Sequence, residues 1–271
     1  MLAEERRFRI CEVLARQRTV SATYLKTTLG VTAATIRRDL AALEQEGLLV
    51  RSHGGAVSKS SSTNFQPSYE ALGRANLDEK QWIAEEAAKL ILDGDTVFLE
   101  GSTTVYELAT RLLQRNRLTV VTNSPLILCQ LQRAPNINAM CTGGDLQRDV
   151  FYLSGPWAQR SLNEIRVDKA VLGISAIDPT YGISTASQGE ALIKKLITKI
   201  AKERIGLADH SKFGNQGFAY VGPCTDFHTL ITDSGTDEKS LSALRESGIQ
   251  VIVAGQPDPR RPVDRTRATA G

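Results

Sequence analysis

The chain has 271 residues, of which 41% are hydrophobic and 23% charged, as in ordinary globular proteins. No apolar run approaches the roughly 20 residues that cross a membrane, and the first residues lack a signal-peptide core. We therefore expect a cytoplasmic protein of one large domain or two unequal ones. Its four widely spaced cysteines lack a CxxC pair, which favours reduced thiols over a metal site.

Positive charge is concentrated near the amino terminus. Residues 1–59 contain ten Lys and Arg against six Asp and Glu, a net charge of +4. The other residues contain 23 against 24, a net charge of −1. A basic segment favours contact with nucleic-acid phosphates, and because the excess is modest we expect assembly into an oligomer to strengthen binding.

Three helices and a hairpin are predicted in residues 1–57. Residues 4–18 are amphipathic, Ser21 can cap a second helix, and Gly30 ends that helix. Thr32 can cap a third helix that Gly47 ends, and its apolar stripe comprises Ile36, Leu40 and Leu43. A short strand, a turn at His53-Gly54-Gly55 and a return strand follow.

The third helix presents Thr35, Arg37 and Arg38 on the face opposite its apolar stripe. Such a helix fits the DNA major groove, and a basic hairpin containing Arg51 and His53 can reach the DNA backbone or the minor groove. The pattern is that of a winged helix-turn-helix. A small three-helix bundle that does not bind DNA is the alternative.

From residue 77 onward, short apolar strands alternate with helices. Residues 58–68 are polar and rich in serine, and they predict a linker that extends to residue 76. Strands are predicted at 96–99, 118–121, 137–141, 169–174, 204–208, 229–232 and 250–253. Helices are predicted at 78–92, 105–113, 125–131 and 186–201, the last with Leu192, Leu196, Ile197 and Ile200 facing inward. This order predicts an α/β domain with a mostly parallel sheet covered on both faces, at residues 77–255, followed by a disordered tail at 256–271.

Three small polar turns fall where strands of this sheet end, which is where such sheets bind ligands. They are Glu100–Thr104, Thr122–Ser124, which contains Asn123, and Thr142–Gly144, which contains Gly143. In the first turn, Gly101 permits close approach of a ligand, and Ser102, Thr103 and Thr104 offer hydroxyl and N–H groups at a helix start. This arrangement is typical of a phosphate cradle. An ordinary capped helix is the alternative.

Two further segments can direct charge at the same crevice. Lys194 lies on the helix that starts near residue 186, and Asp209 and Lys212 follow a later strand. The plainer interpretation is that Lys194 lies on a solvated helix face, near Lys195 and Lys199, and that Asp209 caps a turn.

The segment ATIRRDLAALEQEGLLVRSHGGAV, residues 34–57, resembles the DNA-binding signature of the DeoR family of bacterial transcription regulators. In that family a TxRRDL helix is followed by GLLxRxHGGA. The resemblance implies that Thr35, Arg37 and Arg38 contact operator DNA and that His53 lies in the wing. We expect DNA contacts from Thr32, Thr35, Arg37, Arg38, Arg51 and His53.

The resemblance extends to about residue 255 through the landmarks GSTT, TNS, GG and DHSKFG. It implies the fold shared with ribose-5-phosphate isomerase and glucosamine-6-phosphate deaminase, with a phosphorylated sugar as ligand. The family loop commonly begins with Asp, whereas here the longer Glu100 directly precedes Gly101, which can alter sugar recognition. The expected effector-binding residues are Glu100, Ser102, Thr103, Thr104, Asn123, Gly143, Gly144, Lys194, Asp209 and Lys212.

Three classes of function fit these patterns. The first is a metabolite-controlled transcription regulator, a repressor acting as a dimer or tetramer, with operator DNA and a phosphorylated sugar as its partners and without cofactor, metal or membrane. The second is a sugar-phosphate isomerase or deaminase, which needs a base close to the substrate carbon. His210 beside Asp209 is the candidate dyad, but neighbouring residues at a strand end point apart. The third is a structural DNA binder, which would not require the polar crevice. The sequence favours the first.

Overall fold

The computed structural model describes residues 3–17, 19–45, 48–52, 54–58, 68–148 and 150–255. The amino-terminal elements are helices α1 (Ala3–Gln17), α2 (Ala22–Leu29) and α3 (Ala33–Gln45) and strands β1 (Thr19–Ser21), β2 (Leu49–Ser52) and β3 (Gly55–Ser58). Strand β3 pairs antiparallel with both β1 and β2. The predicted winged helix-turn-helix is therefore present. Strand β1 was not predicted, because three residues are too few to show a periodic pattern.

Local signals set the helix boundaries in this part of the chain. The Ser21 hydroxyl accepts a hydrogen bond from the Tyr24 N–H at 3.1 Å and so begins α2. Gly30 ends α2 with φ of +65°, a conformation that glycine adopts without strain. The predicted apolar stripe of α3 is buried in the core of this part. Gly47, predicted to end α3, lies outside the described residues.

The remaining elements follow in chain order. The helices are α4 (Tyr69–Arg74), α5 (Leu77–Lys89), α6 (Thr103–Arg111), α7 (Pro125–Leu131), α8 (Gly155–Asn163), α9 (Gln188–Ile200) and α10 (Glu238–Glu246). The strands are β4 (Thr96–Leu99), β5 (Leu118–Thr122), β6 (Ile137–Cys141), β7 (Asp145–Gln147), β8 (Tyr152–Ser154), β9 (Val167–Gly173), β10 (Ala176–Asp178), β11 (Gly182–Thr185), β12 (Ala201–Leu207), β13 (Ala219–Gly222), β14 (Thr229–Asp233) and β15 (Gln250–Ala254).

Seven of the described strands form one parallel sheet in the order β15-β14-β12-β9-β4-β5-β6. Successive residues of a strand point to opposite faces, so Phe98 belongs to one core cluster while Val97 and Leu99 belong to another. The sheet is therefore buried on both faces, which confirms the predicted α/β class. None of the described helices combines the length and apolar character needed to cross a bilayer.

Several elements differ from the prediction. The structure adds α8, α10, the β7–β8 pair and a small antiparallel sheet of β10, β11 and β13, whose strands are too short or too polar to predict. Helix α4 lies within the predicted linker at 58–76, of which residues 59–67 are outside the described residues, as is the predicted disordered tail. Leu192 was predicted to face inward but is 42% exposed, because buried Lys194 belongs to the inward face of α9.

The strand order places the functional residues. From β4 the chain proceeds to β5 and β6 on one side, and later to β9 and β12 on the other. The strand order therefore reverses between β4 and β9, and the carboxyl ends of strands at such a reversal are the usual position of a ligand in an open parallel sheet. Glu100 follows β4, Asn123 follows β5 and Asp209 follows β12, so all three lie along the same edge.

Candidate functional site

Helix α3 exposes its polar face as predicted. The Thr32 hydroxyl accepts from the Thr35 N–H at 3.2 Å and lies 2.9 Å from the Thr35 hydroxyl, so Thr32 serves as the cap. Arg37 and Arg38 are exposed. The first turns of the helix therefore present two cations and a threonine to the surroundings, as a helix in the major groove requires.

Asp39 follows these arginines and joins α3 to α1. Its carboxylate is buried and accepts from Arg6 at 2.5 and 3.1 Å. Arg7 lies 3.5 Å from the same carboxylate. This role of Asp39 was not predicted, although an acidic residue three positions after the apolar Ile36 is a detectable signal. The Arg6–Asp39 pair therefore fixes the orientation of α3, the helix predicted to enter the major groove and called the reading helix below.

The wing is set by a close backbone contact. A Cβ atom on Gly55 would lie 1.9 Å from the Val20 carbonyl oxygen, so any other residue would push β3 away from β1. Arg51 is exposed, and its N–H donates to the Glu44 carboxylate of α3 at 3.0 Å. The wing is therefore linked to the reading helix. His53 lies outside the described residues.

The loop after β4 leads directly into α6. The Ser102 hydroxyl accepts from the Val105 N–H at 3.2 Å and caps the helix. Thr103 and Thr104 are the first two helical residues, and helix geometry gives their N–H groups no acceptor within the helix. A Cβ atom on Gly101 would lie 2.8 Å from Tyr152 Cβ, which explains the glycine. The positive end of the α6 dipole faces this loop, so the loop can hold an anion.

Glu100, Lys194 and Glu190 form a buried charged cluster beside this loop. Lys194 Nζ lies 2.8 Å from Glu100 Oε1 and 3.3 Å from Glu190 Oε1, and it donates to the Gly173 carbonyl at 2.7 Å. Burial lowers the pKa of Lys194, but the two carboxylates outweigh burial and raise it. Burial raises the pKa of Glu100, which Lys194 opposes. The alternative that Lys194 is a solvated surface residue is wrong.

Asn123 stiffens the loop from the neighbouring strand. Its side-chain oxygen accepts from the Gly101 N–H at 2.8 Å, and its amide nitrogen donates to the Leu153 carbonyl at 3.3 Å. Gly143 and Gly144 have φ of +69° and +120° and lie after β6, two strands from β4. A Cβ atom on Gly144 would lie 2.3 Å from the Ser154 carbonyl oxygen, so Gly144 permits tight packing at the start of α8.

Asp209 centres a second polar cluster at the end of β12. Its Oδ1 accepts from Asn76 at 2.8 Å and from the Ser211 N–H at 3.0 Å, while Lys212 lies 3.8 Å from Oδ2. Burial would raise the pKa of Asp209, but Lys212, Lys80 and hydrogen bonds from the Ser211 and Asn76 side chains outweigh burial and lower it to about 2. Asp209 is thus an anion at neutral pH. His210 Nδ1 lies 2.9 Å from Asp233 Oδ1 rather than pairing with Asp209, in line with the expectation that neighbouring residues at the strand end point apart.

Family models match both parts of the chain. The DeoR-like helix-turn-helix domain matches residues 6–62, and the DeoR C terminal sensor domain matches residues 75–234. The chain belongs to the DeoR family. It is a DNA-binding transcription regulator with a sensor domain, and not an enzyme.

Relatives of this DeoR-family chain match nearly end to end. The HTH-type transcriptional regulator YulB of Bacillus subtilis (strain 168) is 38% identical over 254 residues, 93% of this chain and 96% of the relative. The putative aga operon transcriptional repressor of Escherichia coli O157:H7 is 33% identical over 253 residues, 93% of this chain and 94% of the relative. A solved ribose 5-phosphate isomerase A from Methanocaldococcus jannaschii aligns at 22% identity over 51% of this chain and 55% of that chain, with a TM-score of 0.39.

Within the sensor domain of this DeoR-family chain, the predicted residues divide into two clusters. Glu100, Ser102, Asn123 and Lys194 surround the loop before α6, whereas Asp209 and Lys212 lie at the end of β12. Three further residues that hold these clusters together were not predicted from the sequence: Asn76, Lys80 and Glu190. Glu190 carried a weak signal, since it stands four residues before Lys194 on one helix.

Proposed function

We propose that this regulator is a repressor of a carbohydrate-metabolism operon, and that a phosphorylated sugar bound at Gly101–Thr104 controls its affinity for the operator. The observation that carries the proposal is a helix amino terminus whose first N–H groups have no acceptor within the helix, next to buried carboxylates at a strand-order reversal. Two relatives named as repressors support the direction of control.

The phosphate group would bind at the start of α6. The N–H groups of Thr103 and Thr104 and the Ser102 hydroxyl are its donors, and hydrogen bonds to a dianion are about twice as strong as neutral ones. Lys194 is not available as a counter-charge for phosphate, because Glu100 and Glu190 already engage it. The helix dipole is therefore the main source of positive potential in this part of the site.

The sugar hydroxyls would contact the polar groups beside the loop. Glu100 Oε1 and Oε2 each accept one hydrogen bond, from Lys194 and from the Gly173 N–H, and each oxygen retains a further lone pair. An acidic pair beside an anion cradle favours a ligand with a phosphate at one end and hydrogen-bond donors at the other. Gly143, Gly144, Asp209 and Lys212 would border the site at greater distance.

On the DNA side, Thr35, Arg37 and Arg38 would contact the operator, with Arg51 and His53 reaching it from the wing. One reading helix covers a short half-site, so paired half-sites need paired chains. We therefore expect at least a dimer, with the sensor domain as its main interface. A monomer by light scattering that kept full operator affinity would contradict this.

The test replaces Thr103 by Asp. A carboxylate in the first turn of a helix is favourable for folding but repels a phosphate dianion. We expect Thr103→Asp to melt at or above the wild-type temperature without ligand, and to lose the melting-temperature rise that phosphorylated sugars give the wild type. Thr103→Val keeps the shape without the charge and should retain most of the rise.

The panel for this test is glucose 6-phosphate, fructose 1-phosphate, glucosamine 6-phosphate and glycerol 3-phosphate, each compared with its unphosphorylated form. The same variant should still bind operator DNA but no longer be released by the phosphorylated sugar. If Thr103→Asp responds as the wild type does, the phosphate does not lie at the start of α6.

A further inference from the structure

Helix α4 packs against the helix that forms the proposed phosphate site. It begins at Ser68, which caps it, and a Cβ atom on Gly73 would lie 3.9 Å from Thr103 Cγ2. In the sequence, α4 follows the wing strand β3 after residues 59–68. It is therefore the first described sensor-domain element after the DNA-binding part, and it contacts the first turn of α6.

The first residue of α4, Tyr69, has a buried hydroxyl group without a hydrogen-bond partner in the part of the chain that the structure describes. Its ring meets the Phe151 ring edge-on, with centroids 5.7 Å apart. Phe151 precedes Tyr152, which lies against Gly101 in the loop before α6. The Tyr69 ring thus packs on the segment that contacts the loop before α6, and its hydroxyl is a buried donor without an acceptor, which is costly.

The groups around Tyr69 keep its hydroxyl protonated. Burial raises the pKa of Tyr69, and Tyr106 and Glu100 raise it further. The hydroxyl therefore keeps its proton and stays a hydrogen-bond donor. An oxygen atom of a ligand in the crevice would supply the missing acceptor.

The carboxyl end of α4 is joined by hydrogen bonds to the second polar cluster, which is centred on Asp209. Lys80, which is 2% exposed, donates to the carbonyls of Leu72 and Ala75 at the end of α4. Asn76 has φ of +51° and does not cap α5, but donates its side-chain amide to Asp209 at 2.8 Å. Asp209 Oδ2 has no hydrogen-bond donor among the described residues. This oxygen can therefore still accept a hydrogen bond, for example from a ligand hydroxyl.

We propose that α4 forms one wall of the effector site and that the Tyr69 hydroxyl binds the phosphorylated sugar. The Asn76–Asp209 contact then couples sugar binding to the segment that joins α4 to the DNA-binding domain. This proposal rests on the proposed function, since it needs a ligand in the crevice. A ligand changes an equilibrium only by binding one state more tightly. Here the favoured state is the one in which α4 is docked against α6 and Asp209.

The test of the ligand contact is Tyr69→Phe, which removes the hydroxyl and keeps the ring against Phe151. We expect binding of the phosphorylated sugar to weaken about tenfold, the equivalent of one hydrogen bond. Without ligand the variant should melt at the wild-type temperature or slightly above, because no partner is lost. Tyr181→Phe, at a tyrosine that is 67% exposed, is the matched control and should change neither quantity.

The test of the coupling is Asn76→Gly, which accepts the positive φ and removes the side-chain amide that donates to Asp209. We expect glucose 6-phosphate, fructose 1-phosphate or glucosamine 6-phosphate, whichever raises the wild-type melting temperature, to bind Asn76→Gly within about threefold of the wild type. Release of fluorescent operator DNA by that sugar should be lost, since the donor to Asp209 is gone.

The outcomes separate the two levels of the proposal. If none of the three sugars binds the wild type, the proposed function fails, and the role of α4 fails with it. If one binds the wild type and Tyr69→Phe equally, the effector site stands but Tyr69 is not part of it. If Asn76→Gly is released from DNA as readily as the wild type, α4 does not pass the signal through Asp209.

Discussion

Replacing Lys194 by Met gives the sharpest test of the charged cluster in the sensor domain. The lysine is 3% exposed, and the variant would remove the cation that contacts the buried carboxylates of Glu100 and Glu190. Removing one partner of a buried ion pair costs about 3–5 kcal/mol, because the remaining charge is not compensated. We therefore expect the free energy of unfolding of the sensor domain to fall by that amount near neutral pH.

The loss should depend on pH in a defined direction. Burial raises the pKa of Glu100 above its usual 4.5, and losing Lys194 removes the main opposing effect. A carboxyl whose folded pKa is raised holds its proton longer in the folded than in the unfolded state. The folded variant therefore loses stability as pH rises above about 4.5, and its deficit against the wild type should shrink at pH 5.

Urea unfolding followed by tryptophan fluorescence measures this deficit. Both tryptophans, Trp82 and Trp157, lie in the sensor domain, so the signal does not report the DNA-binding part. Lys199→Met on the exposed side of α9 is the matched control and should cost less than about 0.5 kcal/mol. Adding Glu100→Gln to Lys194→Met should recover part of the loss. A deficit below about 1 kcal/mol that is equal at pH 5 and 7.5 would refute the reasoning.

Two further predictions concern cations in different settings. Arg37→Ala and Arg38→Ala should each weaken operator binding by about 1–3 kcal/mol if the side chain contacts a base. If the side chain contacts phosphate, the dependence of the logarithm of the binding constant on the logarithm of the salt concentration should decrease by about one. Unchanged operator affinity in the double variant would contradict the DNA interface. Burial and the nearby Lys212 lower the pKa of Lys80 to about 8, from 10.5. Between pH 8 and pH 10.5 the unfolded chain holds more protons on Lys80 than the folded chain does. The free energy of unfolding of the wild type should therefore rise with pH, relative to that of Lys80→Met, by up to about 3 kcal/mol at pH 10.5. A difference that is flat from pH 7 to 10 in urea titrations would exclude this.

The regular part of the fold could be predicted from the sequence, and the irregular part could not. Strand β6 was predicted with its observed bounds, because Ile137–Cys141 is a short, mostly apolar segment between turn residues. Short pieces such as β10 carry too few residues for a period to appear. Helix α4 is only six residues long and lies in a segment whose composition suggested a linker.

The same limit applies to the candidate site. Strand-end turns such as Glu100–Thr104 could be located, since the parallel-sheet pattern places them on one edge. The partners of Lys194 could not, because a buried lysine looks like a surface lysine in sequence and its main carboxylate partner lies 94 positions away. Tyr69 and Asn76 carried no signal, since their positions depend on packing between distant segments.

The strand order also has a consequence for synthesis of the chain on the ribosome. Strand β4 lies in the middle of the sheet, yet only its β5 side can pair early, and its other side stays open until β9 emerges. Glu100 must remain hydrated until α9 brings Lys194, 94 residues later. We therefore expect nascent chains that stop before α9 to be cleaved readily by protease near β4, and chains that include β12 to resist. The effector site would thus be completed only after most of the sensor domain has been translated.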